Sequence, residues 1–75
     1  MNIRDLKPTV WIGKKGLTEG ILREIRSQLE SKKLIKIKVL KSIRHEFPQI
    51  LEKIKHESGA DEVKKIGFTI ILRKV

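Results

Sequence analysis

The sequence contains no cysteine and no tyrosine, and its aromatic residues are one Trp and two Phe. Without cysteine there is no disulfide framework, thiol nucleophile or zinc-ribbon motif, and an oxidising compartment is not indicated. The longest strictly apolar run is three residues, so we expect neither a signal peptide nor a transmembrane segment. These absences predict a soluble, cytoplasmic protein with no membrane partner.

Groups that carry out catalysis are also scarce. His45 and His56 have no third ligand at metal spacing, so no zinc site is predicted. The serines have no evident base, and Asp5 and Asp61 belong to no paired motif, so a hydrolytic site cannot be assembled. We therefore expect no metal, no cofactor and no enzymatic activity.

Positive charge is abundant, because 18 Lys and Arg stand against nine Asp and Glu and give a net charge of +9. A chain of 75 residues suits one compact domain, 1–75, that buries roughly 60–65% of its unfolded surface and leaves little room for a deep cavity. Excess cations repel one another unless a polyanion neutralises them. Nucleic acid is the partner class that this charge favours.

Hydrophobic periodicity predicts strands and helices in alternation. Val10 and Ile12 alternate with Thr9 and Trp11 and indicate a strand over 9–12, and apolar residues at helical spacing indicate a helix over 17–32. Strict alternation over 34–40 indicates the clearest strand. Pro48 suits the first turn of a second helix, which Ser58 and Gly59 end. Strands are then expected over 62–66 and 68–74.

This β-α-β-α-β-β order predicts an α/β fold, a two-layer sandwich with a four-stranded mixed sheet and both helices on one face. The strand-helix-strand unit is expected to close with a right-handed crossover and parallel pairing. The last two strands are expected to be antiparallel or offset in the same sheet. Lys36 and Lys38 would then lie on the face opposite the helices. They are either an RNA platform or the solvated side of a half-covered sheet.

Between the first strand and the first helix lies the turn Gly13, Lys14, Lys15, Gly16. Glycine adopts positive φ cheaply and lets a phosphate approach the backbone, while a helix start presents unpaired amides and partial positive charge. The pattern therefore predicts a phosphate site. The alternative is a tight turn with two solvated lysines, and Glu19 could compete with an anion by capping the amide of Gly16.

Three blocks, residues 10–20 (VWIGKKGLTEG), 34–38 (LIKIK) and 66–73 (IGFTIILR), together resemble the CRM domain, the chloroplast RNA splicing and ribosome maturation family. The resemblance implies a fold similar to the C-terminal domain of translation initiation factor three and binding of structured RNA. It implies association with large-subunit ribosomal RNA precursors in prokaryotes, and group II intron splicing in plant organelles. It assigns RNA binding to Gly13, Lys14, Lys15, Gly16, Lys36, Lys38 and Arg73, and catalysis to none of them.

The chain departs from the family pattern in two places. Residues 1–7 are too few for the helix that usually precedes the first strand, so we expect a shortened N-terminal segment. Leu72 and Arg73 replace the aromatic ring expected near the end of the last strand. A stacking contribution at that end is therefore not expected.

Three further side chains have two interpretations each. Arg23 and Arg26 could follow a phosphate backbone away from the turn, or form surface ion pairs with Glu19 and Glu30. Trp11 could stack on a base, but its position beside the strand end favours packing in the core or at its rim.

The leading hypothesis is an RNA-binding protein that holds phosphates with residues 13–16 and adjacent basic surface, on ribosomal RNA or a pre-ribosomal particle. A K-homology domain also uses a G-x-x-G loop, but usually places it between two helices. A basic module that docks on an acidic protein is the alternative from another class. A nuclease that uses the lysines is the remaining enzymatic alternative.

Overall fold

The computed structural model describes residues 6–75 of the chain. The order predicted from the sequence is confirmed. Residues 1–5 of the shortened N-terminal segment predicted over 1–7 lie outside the described residues. The elements are β1 (Val10–Ile12), α1 (Glu19–Lys32), β2 (Leu34–Val39), a 3-10 helix (Lys41–Glu46), α2 (Phe47–Glu57), β3 (Glu62–Ile66) and β4 (Thr69–Arg73).

The four strands form one mixed sheet in the order β1-β2-β4-β3. β1 pairs parallel to β2, and β4 lies antiparallel between β2 and β3. The parallel pair follows from the crossover through α1, and the β3–β4 hairpin supplies the antiparallel pair. The predicted mixed sheet is confirmed, and the structure adds the strand order.

Alternation along β2 and β4 divides the sheet into two faces. Ile35, Ile37 and Val39 of β2 and Ile70 and Leu72 of β4 are buried. They share one hydrophobic cluster with Ile25 and Leu29 of α1 and Ile50 and Ile54 of α2. Both helices therefore cover the same face of the sheet, and Lys36 and Lys38 point to the other face, as the sequence predicted. This second face is called the open face below.

The start of α1 differs from the prediction. The helix begins at Glu19, two residues later than Leu17, because Thr18 is its N-cap and its side chain accepts a hydrogen bond from the amide of Ile21 at 3.2 Å. The alternative in which Glu19 caps the Gly16 amide is not found, since that amide donates to the carbonyl of Gly13. The cap fixes where the loop ends and the helix begins.

The other helix ends follow ordinary rules with one exception. Pro48 lies in the first turn of α2, and Gly59 takes a φ of 78° after its end. α1 instead ends at Lys33, which adopts a left-handed φ of 66° although it is not glycine. Residues 42–45, between β2 and α2, belong to the 3-10 helix.

Candidate nucleic-acid interface

The Gly13 to Gly16 loop is a hydrogen-bonded turn, and both of its lysines are exposed to solvent. The amide of Gly16 donates to the carbonyl of Gly13 at 2.7 Å, and Gly16 has a φ of 72°. Lys14 and Lys15 are exposed, while Gly16 is buried. The turn therefore presents two ammonium groups beside the start of α1, where the helix dipole also favours an anion.

The loop projects from one end of the sheet. The Leu40 amide donates to the Ile12 carbonyl at 2.9 Å, and the Val39 amide donates to the Phe68 carbonyl at 3.0 Å. These bonds bring the end of β1, the end of β2 and the turn between β3 and β4 together. We call this region, residues 13–16, 39–41 and 67–68, the loop end.

An aromatic pair with two cations lies near the loop end. The rings of Phe47 and Phe68 meet edge to face, with centroids 5.4 Å apart and planes at 89°. The Arg44 guanidinium lies 4.3 Å from the Phe68 centroid, and the Lys65 ammonium lies 5.4 Å from that of Phe47. Such contacts hold two more positive charges near the loop. The site prediction omitted both, because helix and strand periodicity does not say which distant segments meet.

Lys36 and Lys38 lie in successive rows of the open face. In the row nearest the loop, Lys38 pairs in register with Trp11 of β1 and with Thr69 of β4. In the next row, about 7 Å further along the strands, Lys36 pairs with Ile71. Both lysines therefore extend the positive charge of the loop onto the sheet.

Trp11 lies on the open face and is 54% exposed. Its neighbours in β1, Val10 and Ile12, are buried on the opposite face. Of the expected positions for Trp11, the core is wrong, because the alternation of β1 turns its side chain away from the helices. Packing at the rim of the core stays a prediction. The indole is in register with Lys38.

Arg73 is on the open face but far from the loop. It pairs in register with Leu34, the first residue of β2, about 17 Å along the strand from the Val39 level. Its guanidinium also forms an ion pair with Glu62 of the neighbouring strand. The structure therefore places Arg73 at the end of the sheet away from the loop, one row or about 7 Å along the strand from Lys36.

Arg23 and Arg26 lie in the helix layer. The Arg26 guanidinium donates to the carbonyl of Glu57 at 3.0 Å and lies 3.9 Å from the Glu19 carboxylate. Arg26 thus connects α1 to the end of α2. Arg23 is exposed on α1, and α1 packs on the face of the sheet opposite to the one that carries Lys38.

The predicted site residues therefore fall into three groups: the loop, the open face and the helix layer. The loop end joins the two layers, so a bound polyanion could continue over either of them. Among residues 6–75 no group of three or more His, Asp or Glu side chains could hold a metal ion. Within the same residues, neither helix has the length and apolar composition needed to cross a membrane.

Comparison with known proteins connects this arrangement to one family. The sequence model of the CRS1 / YhbY (CRM) domain matches residues 2–74. An RNA-binding protein of Haemophilus influenzae is 40% identical over 67 residues, which are 89% of this chain and 68% of that protein. A probable RNA-binding protein of Methanocaldococcus jannaschii is 36% identical over 69 residues, and the match spans 89% of this chain but only 51% of that protein.

A solved structure shows the same fold. The solution structure of a candidate RNA-binding protein from Staphylococcus aureus superimposes with a TM-score of 0.76 at 26% sequence identity. The superposition covers 96% of this chain and 75% of that one. The α/β architecture with a four-stranded mixed sheet is therefore shared with that solved structure.

Proposed function

The chain belongs to the CRS1 / YhbY (CRM) domain family, and from this premise we propose that it binds structured RNA through the phosphate backbone. The relatives described above carry names that refer to RNA binding. A net charge of +9 on 75 residues is consistent with a polyanionic partner. The proposed activity is binding without catalysis.

The observation that carries the proposal is the geometry of the loop. Gly16 closes the turn with a positive φ, which glycine adopts because it has no Cβ. Lys14 and Lys15 are exposed in the same turn, beside the start of α1. Each feature favours a phosphate, and all three coincide. The Glu19 carboxylate, the nearest acidic group in sequence, lies against Arg26 rather than capping the loop.

Shape and backbone contacts are expected to dominate over base recognition. The chain has only one Trp and two Phe, and the Phe47 and Phe68 rings pack against each other. Proteins that read RNA bases commonly stack them on aromatic side chains, whereas proteins that bind helical RNA contact phosphates and 2′-hydroxyl groups. Structured RNA is therefore the proposed ligand of the loop.

The order of elements favours this interpretation over a K-homology domain. β1 precedes the loop and α1 follows it, whereas a K-homology domain usually has helices on both sides. An acidic protein partner remains the second candidate, since exposed lysines attract any anionic surface. Comparing the affinity for structured RNA with the affinity for heparin of equal charge distinguishes the two. Tighter binding of RNA supports an RNA site, whereas equal affinities indicate general electrostatic attraction.

The proposed target is ribosomal RNA during assembly of the large subunit, as the family resemblance implies. Crosslinking the protein to RNA in cells, followed by sequencing of the bound fragments, tests this part. We expect fragments concentrated in large-subunit ribosomal RNA or its precursor. Fragments scattered over many transcripts would refute the ribosomal target and leave general RNA binding intact.

The loop is tested by replacing Lys14 and Lys15 together with alanine. The matched control replaces Lys53 and Lys55, two exposed lysines of α2 in the helix layer, and removes the same charge. The loop variant should bind a structured RNA much more weakly than the control variant, because Lys14 and Lys15 contact phosphate in this proposal and Lys53 and Lys55 do not. Equal affinity of the two variants, with both folded, would show that total charge alone determines binding.

A further inference from the structure

Exposed apolar side chains gather around the loop end. Trp11 is 54% exposed, Ile66 52%, Phe68 39% and Leu40 38%. All four lie at the loop end or in the row of the open face beside it. The remaining large exposed apolar residue of the described chain is the terminal Val75. Exposed apolar surface is therefore concentrated where the phosphate site is proposed.

Two of these side chains belong to a single row across the sheet. In register, Trp11 of β1 lies beside Lys38, Lys38 beside Thr69, and Thr69 beside Ile66 of β3. The row crosses all four strands, and Trp11 is two residues before Gly13. An RNA strand held by the loop would therefore reach the indole without leaving the protein surface.

The next row differs in character. It contains Lys36, Ile71 and Lys64 in register. Ile71 is only 4% exposed there, so the row presents mainly its two lysines. The row next to the loop thus carries Trp11 and Ile66 on its two outer strands with Lys38 and Thr69 between them, and the row behind it is basic.

We propose that the row of Trp11, Lys38, Thr69 and Ile66, with Lys36 and Lys64 behind it, is a platform for unpaired nucleotides adjoining the structured RNA held by the loop. Trp11 stacks on a base, and the lysines neutralise the phosphates of the same strand. The inference rests on the proposed function and names a second class of ligand, single-stranded RNA, at the adjoining surface.

Charge identifies the occupant of this face. A second copy of the chain would bring Lys36, Lys38 and Lys64 against the same three cations, and like charges at such a contact oppose association. A single RNA strand instead supplies a phosphate and an aromatic base in every nucleotide. The mixture of cations with an exposed indole matches that alternation.

The test compares a blunt RNA duplex with the same duplex carrying a short single-stranded extension, at the 5′ or the 3′ end in separate experiments. Trp11 is the only Trp of the chain, so its fluorescence reports directly on the platform. We expect one of the extended duplexes to bind more tightly than the blunt duplex and to quench the fluorescence more strongly. The end that gives the effect sets the strand polarity.

Trp11→Ala should weaken binding of the extended RNA by about 5- to 140-fold, the range for loss of one stacked base, and change binding of the blunt duplex less than twofold. Trp11→Phe keeps an aromatic face and should retain most of the affinity. Equal losses for both RNAs, or no loss for either, would overturn the platform. Loss of affinity in Trp11→Phe equal to that in Trp11→Ala would also contradict stacking.

The loop and the platform fail in different ways. Replacing Lys14 and Lys15 should weaken binding of both the blunt and the extended RNA. Unchanged affinity would refute phosphate binding by the loop, whereas the stacking role of Trp11 is decided by the Trp11 variants alone. Sedimentation of the RNA-free protein should show a monomer. A dimer that Trp11→Ala dissociates would assign the face to contact between copies and overturn the inference.

Discussion

Replacing Gly16 by alanine should destabilise the fold even though the structure has space for the added methyl group. A Cβ built on Gly16 meets no heavy atom within 4 Å, so no steric clash opposes it. The cost comes from the backbone, because Gly16 has a φ of 72°. A left-handed conformation costs an L-residue about 1–2 kcal/mol, and alanine recovers about 0.4–1 kcal/mol by restricting the unfolded chain. The expected net loss is about 1 kcal/mol.

Gly20→Ala is the matched control for that substitution. Gly20 lies in the first turn of α1, and its Cβ would meet only the Thr18 hydroxyl oxygen, at an ordinary 3.8 Å. Alanine there should stabilise the protein by about 0.4–1 kcal/mol. Urea and thermal unfolding measure both variants, and 1 kcal/mol corresponds to about 4–8 °C in Tm for a domain of this size. A Gly16→Ala protein as stable as the Gly20→Ala protein would refute the reasoning from the backbone.

Three further predictions concern other parts of the chain. Lys33→Gly should stabilise the protein by about 0.5–1 kcal/mol, measured by urea unfolding, since glycine adopts the left-handed C-cap without strain. Thr18→Ala should cost about 1 kcal/mol in the same assay through loss of the hydrogen bond from Ile21, and an unchanged midpoint would contradict the cap. The hydrogen bond and charge of Lys74, and then the charge of Lys33, lower the pKa of Glu30 below its ordinary value of 4.5. The unfolded chain therefore binds this proton at higher pH, so the contribution of Glu30 is present above 4.5 and is lost as the pH falls through the lowered pKa. Glu30→Gln should reduce the pH dependence of stability below pH 4.5, measured by acid unfolding. An unchanged curve would show that the ion pair of Glu30 with Lys74 does not stabilise the protein in solution.

Much of the fold could be predicted because local pattern and tertiary environment agree. Ile35 and Ile37 alternate with Lys36 and Lys38, and the two sets occupy opposite faces of the sheet. Gly59 ends α2 as its position predicts. In these segments side-chain periodicity alone determines which residues enter the core.

The misassigned features depend on competition between nearby groups. Thr18 and Glu19 could both satisfy amides at the start of α1, and the hydroxyl of Thr18 does so while Glu19 lies against Arg26. Trp11 is large and apolar, yet the alternation of β1 must bury Val10 and Ile12 instead. A strand can turn only one face to the core, and in β1 that face carries Val10 and Ile12 rather than Trp11.

The contacts between distant segments could not be predicted from local pattern. Arg44 meets Phe68 because the 3-10 helix and the β3–β4 turn both lie near the end of β2. Arg73 is separated from the loop because β4 runs antiparallel to β2. Both results follow from the strand order, which hydrophobic periodicity does not contain.

The most direct test of the central claim is the salt dependence of RNA binding. Binding of wild type, of the Lys14 and Lys15 double variant and of the Lys53 and Lys55 double variant to one structured RNA would be measured over a range of salt concentrations. Each phosphate contact contributes about 0.7–0.9 to the slope of log K against log salt. The loop variant should therefore have a slope smaller by about 1.4–1.8, and the control variant a slope close to that of wild type. Equal slopes for the loop and control variants would contradict a phosphate site at the loop.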